Sequence, residues 1–266
     1  MRDELGNRMK RNYENVSKTY LTRRMPVIVR LDGKAFHSFT RNFEKPFDDT
    51  LSNAMQRTME YLCKNVEGCV FGYTQSDEIS LLLVDYKNLN TDAWFNYAVQ
   101  KCISVVSSMA TMAFNKFFSE NVDMFCENHT VSEFNPTEGF VMHFDTIENE
   151  EMYGNYNASL AKGALFDARI FNIPKEEVVN YFVWRQNDCI RNAINSIGQK
   201  YYSSNELSHK STEDIKNMLS ENGIMVDSYY EKYRNGLIYM KNGRCWEFFT
   251  FQIKQNRKCV EGLFTF

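Results

Sequence analysis

Hydrophobic positions along the chain fall into a few sharply bounded runs. The sharpest is Val27-Ile28-Val29-Arg30-Leu31, closed by Asp32-Gly33. Its apolar residues are mostly β-branched, so Val27 to Asp32 predicts a buried strand. An acid that ends an apolar strand, with glycine after it, offers a carboxylate and a closely approachable backbone together. Phe36, His37 and Phe39 follow without a clear period. A second apolar stretch, Cys69 to Val84, is broken by a short polar turn containing Ser76, Asp77 and Glu78. It predicts a hairpin of two strands, Cys69–Tyr73 and Ile79–Tyr86.

Elsewhere the period is helical. Leu5, Met9, Tyr13, Val16 and Tyr20 are spaced by four, four, three and four, which predicts a helix from Asp3 to Leu21. Its apolar face would pack on the body of the protein or on a partner chain. A polar loop from Thr40 to Asp49 holds Lys45-Pro46-Phe47-Asp48-Asp49, where Asp48 or Asp49 caps a helix over Leu51–Asn65. A long helix is predicted from Asp92 to about Ser119, and a strand over Phe166–Ile173. The intervening Glu120–Leu165 reads as a loop-rich insertion. Its Cys126, His129 and His143 lack a fourth ligand and match no familiar zinc spacing.

Pro174 opens a helix over Lys175–Tyr202 with two faces. Val179, Phe182, Val183, Ile190, Ala193, Ile194 and Ile197 are apolar, whereas Tyr181, Arg185, Asp188, Asn192, Asn195 and Gln199 form a polar stripe. Such a stripe is either functional or simply solvated. A polar loop (Ser203–Lys210), a short helix (Ser211–Glu221) and two strands, Leu237–Met240 and Cys245–Ile253, about Asn242-Gly243 complete the chain.

The order strand, helix, strand, strand, helix, strand predicts an α+β fold. Its centre is a ferredoxin-like antiparallel sheet with helices on one face, followed by a C-terminal helical and β-hairpin region. The division is into residues 1–173 and 174–266, packed as one unit. In this topology the first strand lies antiparallel beside the third. Asp32 and Asp77 then converge.

Composition narrows the class. With 43% hydrophobic and 24% charged residues, the 266-residue chain is an ordinary soluble protein. A net charge of −3 argues against a uniformly basic nucleic-acid coat. One stretch is locally basic: Lys232, Arg234, Lys241, Arg244, Lys254, Arg257 and Lys258 face only Glu247, with Tyr, Trp and Phe interleaved. It is a candidate phosphate-backbone surface, or a set of solubilising edge-strand charges. Seven cysteines without a CxxC pair suit reduced thiols. The charged start MRDELGNRMKR is unlike a secretory signal, and no apolar run reaches the ~18 residues of a membrane span. A cytoplasmic location is expected.

Two aspartates at neighbouring strand ends can hold two magnesium ions, with the Gly33 carbonyl as a further ligand. Lys45 can neutralise phosphate charge, and the amides after Gly33 can bind a triphosphate if the chain turns there into a helix. His37 either contacts a nucleotide or packs between Phe36 and Phe39. Glu78, by alternation, points away from Asp77 and is expected to be structural. The opposing reading is a structural acid pair or a surface loop.

RLDGKAFHSF, KPFDD, YTQSDEISLL, FDARIFNIP and YFVWRQNDCIRNAI, in that order, resemble the tRNA-His guanylyltransferase family and its guanylyltransferase-like relatives. The resemblance implies a polymerase-palm enzyme that adds nucleotides to tRNA 5′ ends in the 3′-to-5′ direction. The 5′ end is first activated by a nucleoside triphosphate, ATP or GTP, and the 3′-hydroxyl of the incoming nucleotide then attacks it. The family's metal positions correspond to Asp32, Gly33 and Asp77. Its nucleotide-binding run corresponds to Asp32, Gly33, Lys34, Ala35, Phe36 and His37, with Ser76 and with Lys45 on the triphosphate. A homotetramer is also implied. Two departures stand out. Lys34 replaces a frequent arginine, and Ile190-Arg191-Asn192-Ala193-Ile194-Asn195-Ser196 replaces the His-Ile-Asn-Asn-Leu-Tyr-Asn run of eukaryotic members. The second departure points to templated repair of truncated tRNAs. Dedicated guanylate addition to tRNA-His, a non-catalytic RNA-binding protein and a palm-type nucleotide cyclase are the alternatives.

Overall fold

A strand with no polar face must be covered on both sides. The computed structural model, which describes residues 3–135, 137 and 139–265, shows that it is. The first two residues of the charged start and Phe266 lie outside the described residues.

The chain begins with α1 (Glu4–Met9), capped by Asp3, whose Oδ1 accepts from the Gly6 N–H at 2.9 Å. The winding widens over Lys10–Glu14 and then stops. The helix expected as far as Leu21 is therefore shorter, because no core contact holds its second half: Leu5, Met9, Tyr13, Val16 and Tyr20 are all exposed. Next come β1 (Val27–Gly33), the single turn α2 (Phe36–Phe39) and α3 (Asp49–Asn65). Asp48 is the cap of α3; its two carboxylate oxygens accept from Leu51 N–H at 2.8 Å and Glu44 N–H at 3.1 Å. The hairpin strands are β2 (Cys69–Gln75) and β3 (Glu78–Leu83).

The largest correction concerns the stretch expected to be loop-rich. Helix α4 runs over Val99–His129, ten residues beyond the expected end, because Phe118, Val122 and Phe125 continue its buried stripe and no breaker interrupts it. A hairpin, β4 (Thr130–Asn135) with β5 (Gly139–Phe144), and α5 (Ile147–Lys162) follow. Helix α5 is Asn- and Glu-rich, yet Thr146 caps it and Tyr156 and Ser159 are buried. In this region His129 faces Asp145 at 3.3 Å and Asn149 at 3.0 Å.

Then come β6 (Phe166–Asn172), α6 (Lys175–Tyr201), α7 (Ser204–Leu207) and α8 (Thr212–Glu221). Helix α7, built on a Ser203/Glu206 capping box, lies where a plain loop was expected. The chain closes with α9 (Glu231–Asn235), β7 (Leu237–Asn242), β8 (Cys245–Phe249) and α10 (Arg257–Glu261).

Six strands form one antiparallel sheet in the order β6-β1-β3-β2-β7-β8. Its first four members have the expected ferredoxin-like order. Val27, Val29 and Leu31 of β1, with Ile79, Leu81 and Leu83 of β3, bury one face beneath Met55, Met59 and Leu62 of α3 and Val106, Phe114 and Phe118 of α4. Ile28, Phe71, Tyr73 and Leu82 bury the other face beneath Val178, Val179 and Phe182 of α6. Helices thus cover both faces, with the C-terminal part supplying the second layer. Each such side chain contributes about 1.5–3 kcal/mol through removal from water. All seven cysteines are free, and no helix among the described residues is long and apolar enough to cross a membrane.

Gly236, which joins α9 to β7, tests this packing. Its backbone (φ 73°, ψ 178°) is nearly restricted to glycine, and a Cβ there would lie 2.4 Å from the Tyr73 hydroxyl oxygen. Gly243, at the β7–β8 turn, also has positive φ (62°) but has open space around it. Gly236→Ala should lower unfolding stability by roughly 2–4 kcal/mol, and Gly243→Ala by about 1 kcal/mol, in denaturant titrations.

Candidate active site

The site is built where β1 ends beside the β2–β3 turn. The registers Leu31↔Ile79 and Asp32↔Glu78 bring the end of one strand to the start of the other. The Gly33 N–H donates to the Asp77 carbonyl at 3.1 Å, so the two acid-bearing segments are tied directly. Ser76 has a left-handed backbone (φ 50°), the geometry a two-residue turn of this hand requires, and its hydroxyl donates to Asp77 Oδ1 at 3.1 Å.

Asp32, Gly33, Ala35, Phe36, His37, Ser76 and Asp77 line one cavity of about 370 Å³. A Cβ on Gly33 would lie 2.3 Å from the Phe36 ring, so glycine lets the chain fold back tightly here. Ala35 takes a left-handed conformation (φ 55°, ψ 35°) and starts α2. Of the amides after Asp32, two are used internally: Gly33 donates to Asp77, and Lys34 donates to the Leu165 carbonyl at 2.8 Å. Those of Ala35, Phe36 and His37 open the helical turn, where amides have no intrahelical acceptor.

The candidate residues separate into groups. Phe36 belongs to the core, 5.1 Å from Phe39 and 5.2 Å from Phe166 between ring centroids. His37 does not pack between the two phenylalanines; it is exposed at the cavity, 3.1 Å from the Ser38 hydroxyl. Lys34 is exposed and lines neither this cavity nor the next. Lys45 lines a second cavity of about 220 Å³ that shares Thr40, Leu51 and Ser76 with the first. Its ammonium lies 3.4 Å from the Thr40 carbonyl.

The second cavity runs between the Lys45 loop and α6. Phe47 stacks on Tyr233 at 4.5 Å, nearly parallel, and Lys232 reaches Asp49 at 2.7 Å. Asn192, Ala193 and Ser196 come from α6. Burial pushes the Cys189 thiol in its wall up to about 12, so it presents a neutral thiol and no thiolate nucleophile.

Burial raises the Asp77 carboxyl above the ordinary range, and the negative charge of Asp32 raises it further. Two mutually repelling carboxylates at a cavity, one partly desolvated, form a hard oxygen donor set suited to a divalent cation. The residues present therefore fit magnesium.

Sequence reasoning missed the ions around Glu78. Its carboxylate does point away from Asp77, but the register puts it on Asp32's face of the sheet, where Arg30 Nη2 donates to Oε2 at 2.6 Å. Arg185 and Tyr181, assigned to a polar stripe, are buried: Tyr181 meets Ser80 at 2.8 Å and Arg185 pairs with Asp188. The available signal was a stripe rich in amides with few paired charges, which is unusual for a solvated face. The basic C-terminal run is also partly spent internally, with Arg234 paired to Asp227 at 2.7 Å and Lys232 to Asp49.

The sequence matches the tRNAHis guanylyltransferase (Thg1) family pattern over residues 6–174, more than half of the chain. The chain belongs to that family. It is accordingly a tRNA guanylyltransferase-like nucleotidyltransferase. The structure of a bacterial tRNA(His) guanylyltransferase (Thg1)-like protein in complex with ATP superimposes with a TM-score of 0.79 at 32% identity, covering 98% of this chain and 100% of that one. The corresponding complex with GTP gives 0.75 and 31%, covering 99% and 100%. An uncharacterized protein of Acanthamoeba polyphaga mimivirus is 31% identical over 255 residues, 90% of this chain and 77% of that protein. A probable tRNA(His) guanylyltransferase of Mus musculus is 24% identical over 216 residues, and the match spans only 60% of its length.

Because burial and Asp32 both oppose the charge on Asp77, the isosteric Asp77→Asn should stabilise the cation-free Thg1-family chain. Thermal unfolding in EDTA is expected to shift up by about 2–4 °C, corresponding to roughly 1 kcal/mol. An unchanged or lowered midpoint would show that the two carboxylates do not repel.

Proposed function

We propose that the protein adds nucleotides to the 5′ end of tRNA in the 3′-to-5′ direction, in templated repair of 5′-truncated molecules. The observation that carries the chemistry is the convergence of Asp32 and Asp77 on a cavity that shares Thr40, Leu51 and Ser76 with a second one. The bacterial relative's complexes with ATP and GTP support nucleoside triphosphates as the substrates.

Asp32, Asp77 and the Gly33 carbonyl hold two magnesium ions in this reading. When bound, the ions supply charge neutralisation on the triphosphate and a lowered pKa for the attacking hydroxyl. The chain's own groups do the positioning. The amides of Ala35, Phe36 and His37 face phosphate oxygens at the turn into α2, and the His37 ring and Ser76 hydroxyl border the same space. Lys45, in the second cavity beside the shared residue Thr40, draws triphosphate toward it. There Phe47 and Tyr233 supply aromatic surface beside a base, and Thr74, Gln75 and Asn192 supply hydrogen-bonding groups. Arg191, Asn195 and the basic residues Lys241, Arg244, Lys254 and Lys258 are the RNA-facing candidates.

Repair is favoured over dedicated guanylate addition on two grounds. Ile190–Ser196 lacks the His-Ile-Asn-Asn-Leu-Tyr-Asn run. The chain also aligns end to end with the bacterial Thg1-like protein at higher identity than with the mouse enzyme.

The test incubates protein, Mg²⁺ and triphosphates with 5′-monophosphorylated tRNA lacking its first nucleotide, alongside intact tRNA-His. Extension of the truncated tRNA should dominate, and Asp32→Asn or Asp77→Asn should each reduce it by more than about 100-fold. Faster addition to intact tRNA-His would favour the dedicated enzyme. Variants that retain full activity would remove the carboxylates from the mechanism.

A further inference from the structure

Asp32 and Glu78 are direct cross-strand partners, so their side chains emerge on one face of the sheet within about 5 Å at Cβ. Glu78 is 4% exposed and Arg185 is 3% exposed. A third carboxylate thus stands beside Asp32, outside the cavity lining, and nothing in its chemistry separates it from the two that converge there.

What separates it is its partners. Arg30 Nη2 donates to Glu78 Oε2 at 2.6 Å, from the same face of β1. From α6, Arg185 Nε stands 3.2 Å from Oε1. That N–H is not aligned as a hydrogen bond, and Oε1, Arg185 Nε and Arg30 Nε are all buried without an aligned partner. Oε1 is therefore held by charge and proximity alone. The other side of Arg185 is fixed by Asp188, which also pairs with Arg191. The Trp184 ring closes the arrangement, 4.1 Å from the Arg185 guanidinium carbon and 5.8 Å from that of Arg30.

We propose that Arg185 is a positioning residue that holds Glu78 toward α6 and so keeps it from joining Asp32 and Asp77 as a third carboxylate ligand of the metal ions. This rests on the metal-site reading given above. A third carboxylate would tighten the grip on the cation and cancel charge meant for the triphosphate, so the site would bind metal better and transfer nucleotides more slowly. A pair that merely tied α6 to the sheet would act differently. Its loss would loosen the fold and the metal together.

The experiment measures Mn²⁺ binding from the electron paramagnetic resonance signal of the free ion, in parallel with 5′ extension. Arg185→Met, which keeps the buried volume and removes the charge, should bind Mn²⁺ about tenfold more tightly while extending tRNA more slowly. The double variant Glu78→Gln/Arg185→Met should return to the wild-type Mn²⁺ affinity, a rescue that a structural tie would not produce. Glu78→Gln alone should leave the affinity unchanged; a tenfold loss would mean that Glu78 is already a ligand and would overturn the proposal even if Arg185→Met fails to fold. Wild-type or weaker affinity in folded Arg185→Met also overturns it. Asp77→Asn separates the two levels of argument. If it abolishes Mn²⁺ binding while Arg185→Met changes nothing, only the role of Arg185 fails. If wild-type protein binds no Mn²⁺, the metal site fails with it.

Discussion

The antiparallel pairing of β1 with β3 is the constraint on which the site depends. Side chains in a strand alternate, so a slip of one residue would turn Asp32 into the apolar α3/α4 layer and Leu31 toward the charged groups under α6. That slip is prevented from both sides, because Val27, Val29 and Leu31 are needed under α3 and α4 while Ile28 is needed under α6. The hydrophobic layers therefore set the position of the carboxylates. The contact between Gly33 and Asp77 closes the register at the end where it matters.

Helix α6 links packing to chemistry. Its apolar face completes the second layer, and Gln186 binds the Asn235 and Phe251 carbonyls and the Ile253 amide within the C-terminal segment. The same helix sends Arg185 to Glu78 and Asn192 to the second cavity. One element thus sets the fold, the charge balance beside Asp32 and a wall of the second cavity.

Much of this was legible in the order of residues. The strand ending in Asp32-Gly33, the turn around Asp77 and the cap at Asp48 each carry a local signal, and topology rules convert them into a shared cavity. Three features were not legible. Helix α5 hides behind asparagines and glutamates because its stability comes from Tyr156 and Ser159, which meet residues far away in sequence. The length of the first helix was overread because periodicity records an apolar face without saying what covers it. The cross-strand partnership of Glu78 with Asp32 was missed because alternation along one strand says nothing about the neighbour's register.

The stack of Phe47 on Tyr233 joins a loop near the start of the chain to a short helix near its end. Asp49, at the start of α3, is gripped by both Lys232 and Tyr233 of that helix. The far side of the cavity is consequently a hinge plate riveted from two distant parts of the polypeptide. A ligand that binds there and touches both parts would therefore stabilise the docking of α9 on the Lys45 loop by mass action.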